Sequence, residues 1–364
     1  MTEQPVVIQT AHCVMKWVMM IISESRAASA RAPGLLLAGA IISSFVLTPN
    51  AALAESGKPQ RPAVSADFPY TSKYVDVDGA KMAYIELGDP DGEPILFVHG
   101  VPTWSYLWRN VLPYVKVPGR RLIAVDLMGF GRSEKARNGD IGYFDHAGYF
   151  AGFIEALGLK NVTLVLHDWG AAIGLNYAYH HSGNVRAIAF MEGVVAPAYP
   201  RPSFESFGNP KVVQLFRSFR DPVKGPEVMM TQNMWIERLL PNSIMRELTD
   251  KEMAMYRAPW PTKESRRPIW RLVQDNPIEG KPKAVTKMFL KVERWWRKTD
   301  IPKLFVYASP GRILRPDPHV NWMVINLKNI KTAFVGYGIH FLQEDEPEAI
   351  GRVVNEWLRD LNTK

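Results

Sequence analysis

The sequence predicts an α/β fold with a mostly parallel central sheet, helices on both faces and a helical cap domain. Short, wholly apolar runs recur along the chain and alternate with helix-like segments, as expected of strands covered on both faces. The alternation is interrupted once, by a long segment rich in Pro, Arg, Trp and Met. A chain of 364 residues is long enough for one such core and one sizeable insertion.

The strands are predicted in chain order from these apolar runs. Residues 74–77 and 82–86 form a predicted hairpin around Asp78-Gly79, a dipeptide typical of tight turns. Central strands are predicted at residues 95–98, 122–125, 162–166, 187–191, 303–308 and 332–335. A helical pattern at 170–180 and an amphipathic one at 347–361 lie between and after them. Such alternation favours parallel strands joined by right-handed crossovers.

The domain organisation follows from this pattern. We expect a leader at residues 1–54, the first part of the core at 55–195, a helical cap at 196–285 and the second part of the core at 286–364. A cap inserted after the sixth strand would cover the carboxyl ends of the strands, where sheets of this kind bind ligands.

The first 54 residues have the pattern of a secretory signal peptide. Arg26 and Arg31 precede an apolar run at residues 35–47, and Ala52-Leu53-Ala54 has the small-x-small pattern of a signal-peptidase site. We therefore expect a periplasmic or secreted protein that is cleaved near Ala54. The alternative is an uncleaved N-terminal anchor, and in either case we expect membrane contact only through this leader.

Charge and cysteine content exclude several classes of function. The formal net charge is +8, but Lys and Arg are spread along the chain rather than gathered in the patches of a nucleic-acid-binding protein. We therefore expect no nucleic-acid partner. The single cysteine, Cys13, falls in the predicted leader, so the mature domain would have no cysteine nucleophile, cysteine metal site or disulfide.

Residues 164–170 carry the strongest catalytic signal. His167-Asp168-Trp169-Gly170 passes from an apolar strand into a helix, the context of a nucleophile elbow, whose usual pattern is Gly-x-Ser-x-Gly. Asp168 occupies the nucleophile position and Leu166 replaces the first glycine. A carboxylate is already ionised at neutral pH, so it can attack carbon and form an ester without a base. The alternative is that Asp168 is a plain helix N-cap.

His340 is the predicted general base. Hydrolysis of an ester requires water activated by a base, usually a histidine. His340 follows the last predicted strand and precedes the closing helix, which agrees with the chain order nucleophile, acid, histidine. His167 lies beside the nucleophile, so its side chain should point elsewhere and brace the turn. His180 and His181 are expected at an exposed helix end.

Two carboxylates compete for the third position of a catalytic triad, the group that orients the imidazole. Glu192 ends the sixth strand and would emerge at the same sheet edge as Asp168. Asp317 lies well beyond the strand predicted at 303–308, and the usual acid position after that strand, Ser309-Pro310-Gly311, has no carboxylate. We favour Glu192. The backbone N–H groups of Val101 and Trp169 are the predicted oxyanion hole.

Together these motifs resemble the haloalkane dehalogenases, which have the α/β-hydrolase fold. The resemblance covers roughly residues 72–362. It is carried by residues 99–110 (HGVPTWSYLWRN), 125–133 (VDLMGFGRS), 167–170 (HDWG) and 340–345 (HFLQED), and by Leu239-Leu240-Pro241, Tyr256-Arg257 and Arg266-Arg267-Pro268. An acid at Glu192 resembles the branch whose acid follows the sixth strand, a branch that also contains the coelenterazine luciferases.

The resemblance implies a hydrolase that needs no metal and no organic cofactor. Asp168 would displace halide from an sp³ carbon, His340 would activate water against the resulting alkyl ester, and Glu192 would support His340. The indole N–H of Trp169 would hold the departing halide, because indole only donates. The expected partners are a small halogenated hydrocarbon, water and the halide ion.

The predicted pocket includes one departure from the family. Phe216 and Pro268 match apolar pocket positions. Val101, however, stands where that branch has an asparagine whose amide is the second halide donor, and losing one such donor can cost on the order of 3 kcal/mol. The candidates to replace it are Trp104, Trp235, Trp260 and Trp270.

Two alternative functions remain open from the sequence. An epoxide hydrolase shares the Asp nucleophile, the His base and a His-Gly-x-Pro loop, and also needs cap tyrosines, for which Tyr199 and Tyr256 are present. The other alternative is a non-catalytic binding protein on the same scaffold, since a fold does not by itself imply an activity.

Overall fold

The computed structural model describes residues 64–135 and 140–363. The predicted leader at 1–54 and Cys13 lie outside the described residues. Within the described ranges, no helix combines the length and apolar character needed to cross a membrane.

Eight strands of the described chain form one sheet. They are β1 (Ser72–Val77), β2 (Ala80–Gly88), β3 (Glu93–Val98), β4 (Arg120–Val125), β5 (Val162–His167), β6 (Val185–Met191), β7 (Lys303–Pro310) and β8 (Ile330–Gly338). Their order in space is β1-β2-β4-β3-β5-β6-β7-β8. β2 pairs antiparallel with β1 and β4, and every other pairing is parallel. The fold class and each predicted strand are confirmed.

Helices flank the sheet and fill the segment between β6 and β7. They are α1 (Leu112–Val115), α2 (Tyr143–Ala156), α3 (Trp169–His180), α4 (Pro210–Arg220), α5 (Asp250–Arg257), α6 (Arg267–Gln274), α7 (Lys283–Trp296), α8 (Asn321–Asn326), α9 (Leu342–Asp345) and α10 (Pro347–Asn362). Shorter helical turns lie at Ser105–Trp108, Ser182–Asn184, Phe204–Phe207, Lys224–Pro226, Glu227–Thr231, Trp235–Leu239, Pro241–Ser243, Glu264–Arg266 and Pro316–Val320. The predicted cap boundary at residue 285 falls inside α7, so a division there would cut a helix.

The apolar runs are explained by burial on both faces of the sheet. Every residue of β5 is buried, and alternate residues of a strand point to opposite faces. Leu164 and Leu166 accordingly belong to one hydrophobic cluster and Val165 to another on the opposite side. Burying each such side chain stabilises the fold by about 1.5–3 kcal/mol, which fixes the strand that carries the site.

A buried ionic cluster ties the segment between β6 and β7 to the core. Arg109 lies 2.5 Å from Glu344 and 2.8 Å from Glu252, and all three side chains are at most 1% exposed. Arg246 lies 2.5 Å from both carboxylates, and the Tyr256 hydroxyl donates to Glu344. Because buried charges are tolerated only when paired, this cluster holds α5 against the loop and helix that follow β8.

Candidate active site

Asp168 occupies a sharp turn between β5 and α3. Its φ is +52°, a conformation that is rare and strained for a residue with a side chain and is maintained by the surrounding structure. A Cβ atom on Gly170 would lie 2.4 Å from the carbonyl oxygens of Val98 and His99, so glycine is required for α3 to begin this close to β3. Asp168 stands at the N-cap position of α3 without a side-chain capping hydrogen bond, which argues against a plain capping role.

The two carboxylate oxygens of Asp168 have different partners. The backbone N–H of Val101 donates to Oδ1 over 2.8 Å, and Oδ2 lies 3.5 Å from Nε2 of His340. A Cβ atom at residue 100 would lie 2.1 Å from Oδ1, so the close approach of this loop requires Gly100. The Val101 N–H therefore stabilises negative charge on one oxygen while the other faces the imidazole.

His340 lies between two carboxylates. It follows β8, with Nε2 facing Asp168 and Nδ1 3.1 Å from Oε2 of Glu192. Its backbone N–H donates to the carbonyl of Ser243 over 3.0 Å, so the segment between β6 and β7 helps to hold the loop. The structure thus brings together Asp168, His340 and Glu192, the three residues predicted from the sequence.

Glu192 is held by backbone donors from the loop after β7. Its carboxylate accepts N–H groups of Arg312, Ile313 and Leu314 over 2.8–3.2 Å. Sequence reasoning examined this loop only for an acid and missed that it supplies the donors for an acid on β6. The signal that could have found them is Gly311, which has a φ of +64° and turns the chain toward Glu192. The competing carboxylate, Asp317, is exposed.

The charges of the triad support one another. Burial alone would raise the pKa of Asp168, but the hydrogen bond and charge of His340 outweigh it and lower that pKa, with a further contribution from the Trp169 backbone N–H. Burial alone would lower the pKa of His340, whereas Asp168 and Glu192 raise it to about 9. The Asp168 and His340 side chains are only 8% and 9% exposed, and weak screening in such a site strengthens these interactions.

Trp169 is buried and directly follows Asp168 in the chain. Its ring packs against those of Tyr143 and Phe289, with centroids 6.0 and 6.3 Å away. Its backbone N–H is the second predicted oxyanion donor, and it helps to lower the pKa of Asp168. The well-formed backbone hydrogen bond to the Asp168 carboxylate, however, comes from Val101. Its indole role stays a prediction.

Two of the candidate replacements for the missing halide donor are already engaged. The indole N–H of Trp104 donates to the carbonyl of Met255 over 3.2 Å, and that of Trp270 donates to Phe219 over 3.0 Å. Trp260 has a buried indole nitrogen without a hydrogen-bond partner among the described residues. Its ring packs edge-on against Phe130.

Trp235 and the predicted pocket residue Phe216 belong to one aromatic cluster. The Phe216 ring stacks on that of Phe207 with centroids 4.2 Å apart, and Trp235 packs against Phe219. Pro268 is buried at the start of α6. The roles of Phe216 and Pro268 in lining the substrate pocket stay predictions.

An apolar cleft lies on the Trp169 side of the site. It is narrow and partly open to solvent, and its lining includes Tyr143, Val194, Phe289 and Trp296 but neither Asp168 nor His340. Within the described ranges no group of three His, Cys, Asp or Glu side chains is arranged to hold a metal ion. The predicted exposure of His180 and His181 at the end of α3 is confirmed.

The comparisons with known proteins agree on one family. The model of the alpha/beta hydrolase fold matches residues 93–313. A haloalkane dehalogenase of Mesorhizobium japonicum is 37% identical over 307 residues, which cover 84% of this chain and 96% of that protein. One of Bradyrhizobium diazoefficiens is 38% identical over 292 residues, covering 77% and 91%.

Solved structures give the same result. Haloalkane dehalogenase DbeA of Bradyrhizobium elkani superposes with a TM-score of 0.76 at 38% identity, over 80% of this chain and 99% of that one. Haloalkane dehalogenase DatA of Agrobacterium tumefaciens C58 gives a TM-score of 0.73 at 33% identity, over 80% and 97%. This chain belongs to the haloalkane dehalogenase family of the α/β-hydrolase fold.

Proposed function

We propose that this protein is a hydrolase that converts haloalkanes to alcohol, halide and a proton through a covalent alkyl ester on Asp168. One observation carries the proposal. The Asp168 carboxylate sits on a strained strand-to-helix turn, with Oδ1 bound by the Val101 N–H and Oδ2 facing an imidazole that contacts Glu192. This arrangement places a carboxylate that can attack a substrate carbon beside an imidazole that can activate water to hydrolyse the resulting ester.

The first step needs only Asp168 and a group that donates a hydrogen bond to the departing halide. A lone pair on Oδ2 forms a bond to the substrate carbon, the carbon–halogen bond breaks, and its electron pair leaves with the halide. No proton moves. The buried indole of Trp169 is the donor that we assign to the halide. Its N–H can donate a hydrogen bond to an anion, and its nitrogen has no acceptor lone pair that would repel one.

The second step releases the alcohol. His340 Nε2 takes a proton from water as the water oxygen bonds to Cγ of Asp168, and negative charge develops on Oδ1, where the Val101 N–H is already placed. The bond between Cγ and the alkyl oxygen then breaks. The alkoxide takes a proton from His340 and leaves as the alcohol. The carboxyl group of Asp168 now contains one oxygen from water, and it loses a proton to become a carboxylate again.

Alkylation itself prepares the base. Asp168 and Glu192 both raise the pKa of His340, and an ester at residue 168 carries no charge. The pKa of His340 therefore falls after the first step, so the imidazole loses its proton and can accept one from water. Glu192 retains its charge and stabilises the imidazolium as it forms again.

One of the two cap tyrosines argues against the epoxide hydrolase alternative. Opening an epoxide would require a tyrosine hydroxyl to protonate the oxygen, but the Tyr256 hydroxyl already donates to the buried Glu344. Tyr199 is buried, and burial together with the nearby charge of Asp168 raises its pKa, so a choice of substrates is needed to distinguish the two reactions. The test is incubation with 1-bromobutane or 1,2-dibromoethane while halide and acid are measured. Bromide release supports the proposal. Turnover of styrene oxide without bromide release favours the epoxide reaction, and binding without turnover favours a non-catalytic protein.

We also propose that the protein is exported and cleaved near Ala54. The support is the sequence pattern, in which Arg26 and Arg31 precede an apolar run and a small-x-small site. The test is N-terminal sequencing of the protein from periplasmic and cytoplasmic fractions. A periplasmic chain that begins just after Ala54 is expected. A cytoplasmic chain that retains residues 26–54 would contradict the proposal.

A further inference from the structure

His167 has a buried contact with the loop that carries the proposed base. It is the last residue of β5 and is fully buried. Its Nε2 lies 2.9 Å from the main-chain carbonyl oxygen of His340. Its ring centroid lies 4.8 Å from that of His340 and 5.6 Å from that of Phe341. The residue next to Asp168 therefore contacts His340 in two ways, by a hydrogen bond to its backbone carbonyl and by packing against its ring.

The contact fixes one ring nitrogen of His167 as a hydrogen-bond donor. A carbonyl oxygen can only accept, so Nε2 must carry the hydrogen, and the buried Nδ1 has no partner among the described residues. The titratable groups that face the ring are His340, Asp168 and His99. Burial, together with the positive charge of His340, lowers the pKa of His167 to about 3. The ring is therefore neutral and donates from Nε2 whether or not His340 carries a proton.

The His340 peptide is thus held on both sides. Its N–H and that of Phe341 donate to the carbonyl of Ser243 over 3.0 and 3.3 Å, while its own carbonyl accepts from His167. Removing the His167 donor would leave a buried carbonyl unpaired, which is unfavourable, and a shift of the backbone toward another donor would relieve that cost. The imidazole attached to the same backbone would turn with it.

We infer that His167 is a positioning residue that holds the imidazole of His340 in place. The attack of water on the ester depends on that position, whereas the attack of Asp168 on the haloalkane does not. The inference rests on the proposed function, because it assigns His167 to the second of its two steps. Alkylation uses Oδ2 of Asp168, and the Val101 N–H holds that carboxylate through its other oxygen, Oδ1. Ester hydrolysis requires His340 Nε2 to point at a water, and small displacements of a reacting group are costly.

The test compares two replacements of His167 by single-turnover kinetics with 1-bromobutane. His167→Leu removes the donor, while His167→Gln keeps an N–H at a similar distance from the backbone. In His167→Leu we expect ester hydrolysis to slow by about 10- to 100-fold with alkylation nearly unchanged, so that the alkyl enzyme accumulates in mass spectra. His167→Gln should hydrolyse the ester nearly as fast as the wild type.

A matched control separates this role from the mere loss of a buried histidine. His146 is also fully buried, and neither of its ring nitrogens has a partner within the described residues, so His146→Leu should leave the ratio of the two rates unchanged.

Equal slowing of both steps in His167→Leu, or slowing of neither, would overturn the inference. If His167→Leu does not fold, His167→Asn replaces it, because its shorter amide cannot reach the carbonyl; normal hydrolysis in that variant would equally overturn it. Failure of the wild type to form an ester would instead contradict the proposed function.

Discussion

The Nδ1 atom of His340 lies 3.1 Å from Oε2 of Glu192, which joins the loop after β8 to the end of β6. Glu192 is itself held by backbone N–H groups at residues 312–314. The carboxylate that contacts His340 therefore comes from the end of β6, and the N–H groups that hold it come from the loop after β7. Orientation of the imidazole depends on both.

Replacing Glu192 by glutamine should impair the base. Without the carboxylate the imidazolium loses its stabilisation, and we expect turnover to fall by about 100- to 10,000-fold. The charge of Glu192 raises the pKa of His340, so the acidic limb of the pH profile for ester hydrolysis should move to lower pH. The measurement is single-turnover hydrolysis across pH. Asp317→Asn is the matched control, and loss of activity there but not in Glu192→Gln would reverse the assignment.

Replacing Trp169 by phenylalanine should slow alkylation. The substitution keeps an aromatic ring against Tyr143 and Phe289 but removes the indole N–H that we assign to the departing halide. We expect the alkylation rate to fall by about 100-fold, measured by rapid quench and mass spectrometry. Trp270→Phe, whose indole N–H donates to Phe219, should leave that rate nearly unchanged. Equal effects of the two substitutions would show that Trp169 does not bind halide.

Asparagine at residue 101 should accelerate the first step. The backbone N–H of Val101 already binds Asp168, and its side chain is buried and cannot donate. An amide at this position would add a second halide donor, so Val101→Asn should speed alkylation about 10-fold or more. Val101→Leu, which adds bulk without a donor, is the control. Identical alkylation rates in wild type and Val101→Asn would mean that another group already fills this role.

The buried ionic cluster predicts a pH-dependent stability. Burial alone would raise the pKa of Glu252, but hydrogen bonds from Arg246 and Thr249 lower it to about 2 from the ordinary 4.5. Because the folded-state pKa is depressed, this stabilisation is complete above pH 4.5 and is lost as the pH falls toward 2. Urea unfolding should show Glu252→Gln well below wild type at pH 7, with the difference shrinking between pH 4.5 and 2. A constant difference would contradict this.

Much of the fold follows from local pattern. The apolar runs that predicted β3, β5 and β6 are buried on both faces, and this condition can be read from a single segment. The elbow was predictable for the same reason, because strand, Asp168 and helix are contiguous in sequence. The antiparallel position of β2 beside β4 could not be derived this way, since pairing depends on distant segments.

The supporting contacts of the site were less predictable than its reacting groups. Chemistry restricted the nucleophile, base and acid to a few side chains, and the structure brings the chosen ones together. The donors to Glu192, by contrast, are backbone N–H groups, which every residue except proline carries and which no sequence pattern distinguishes. The contact of His167 with the His340 carbonyl also joins residues far apart in the chain. Both required the three-dimensional structure.

The central claim is tested most directly by trapping the covalent species in His340→Phe. This variant keeps Asp168 and its Val101 N–H but has no base, so incubation with 1-bromobutane should add a butyl group to the peptide that contains Asp168. One equivalent of bromide should be released per protein, and Asp168→Asn should give neither the adduct nor the bromide. Continued multiple turnovers by His340→Phe, or a butyl group on a peptide without Asp168, would contradict the account.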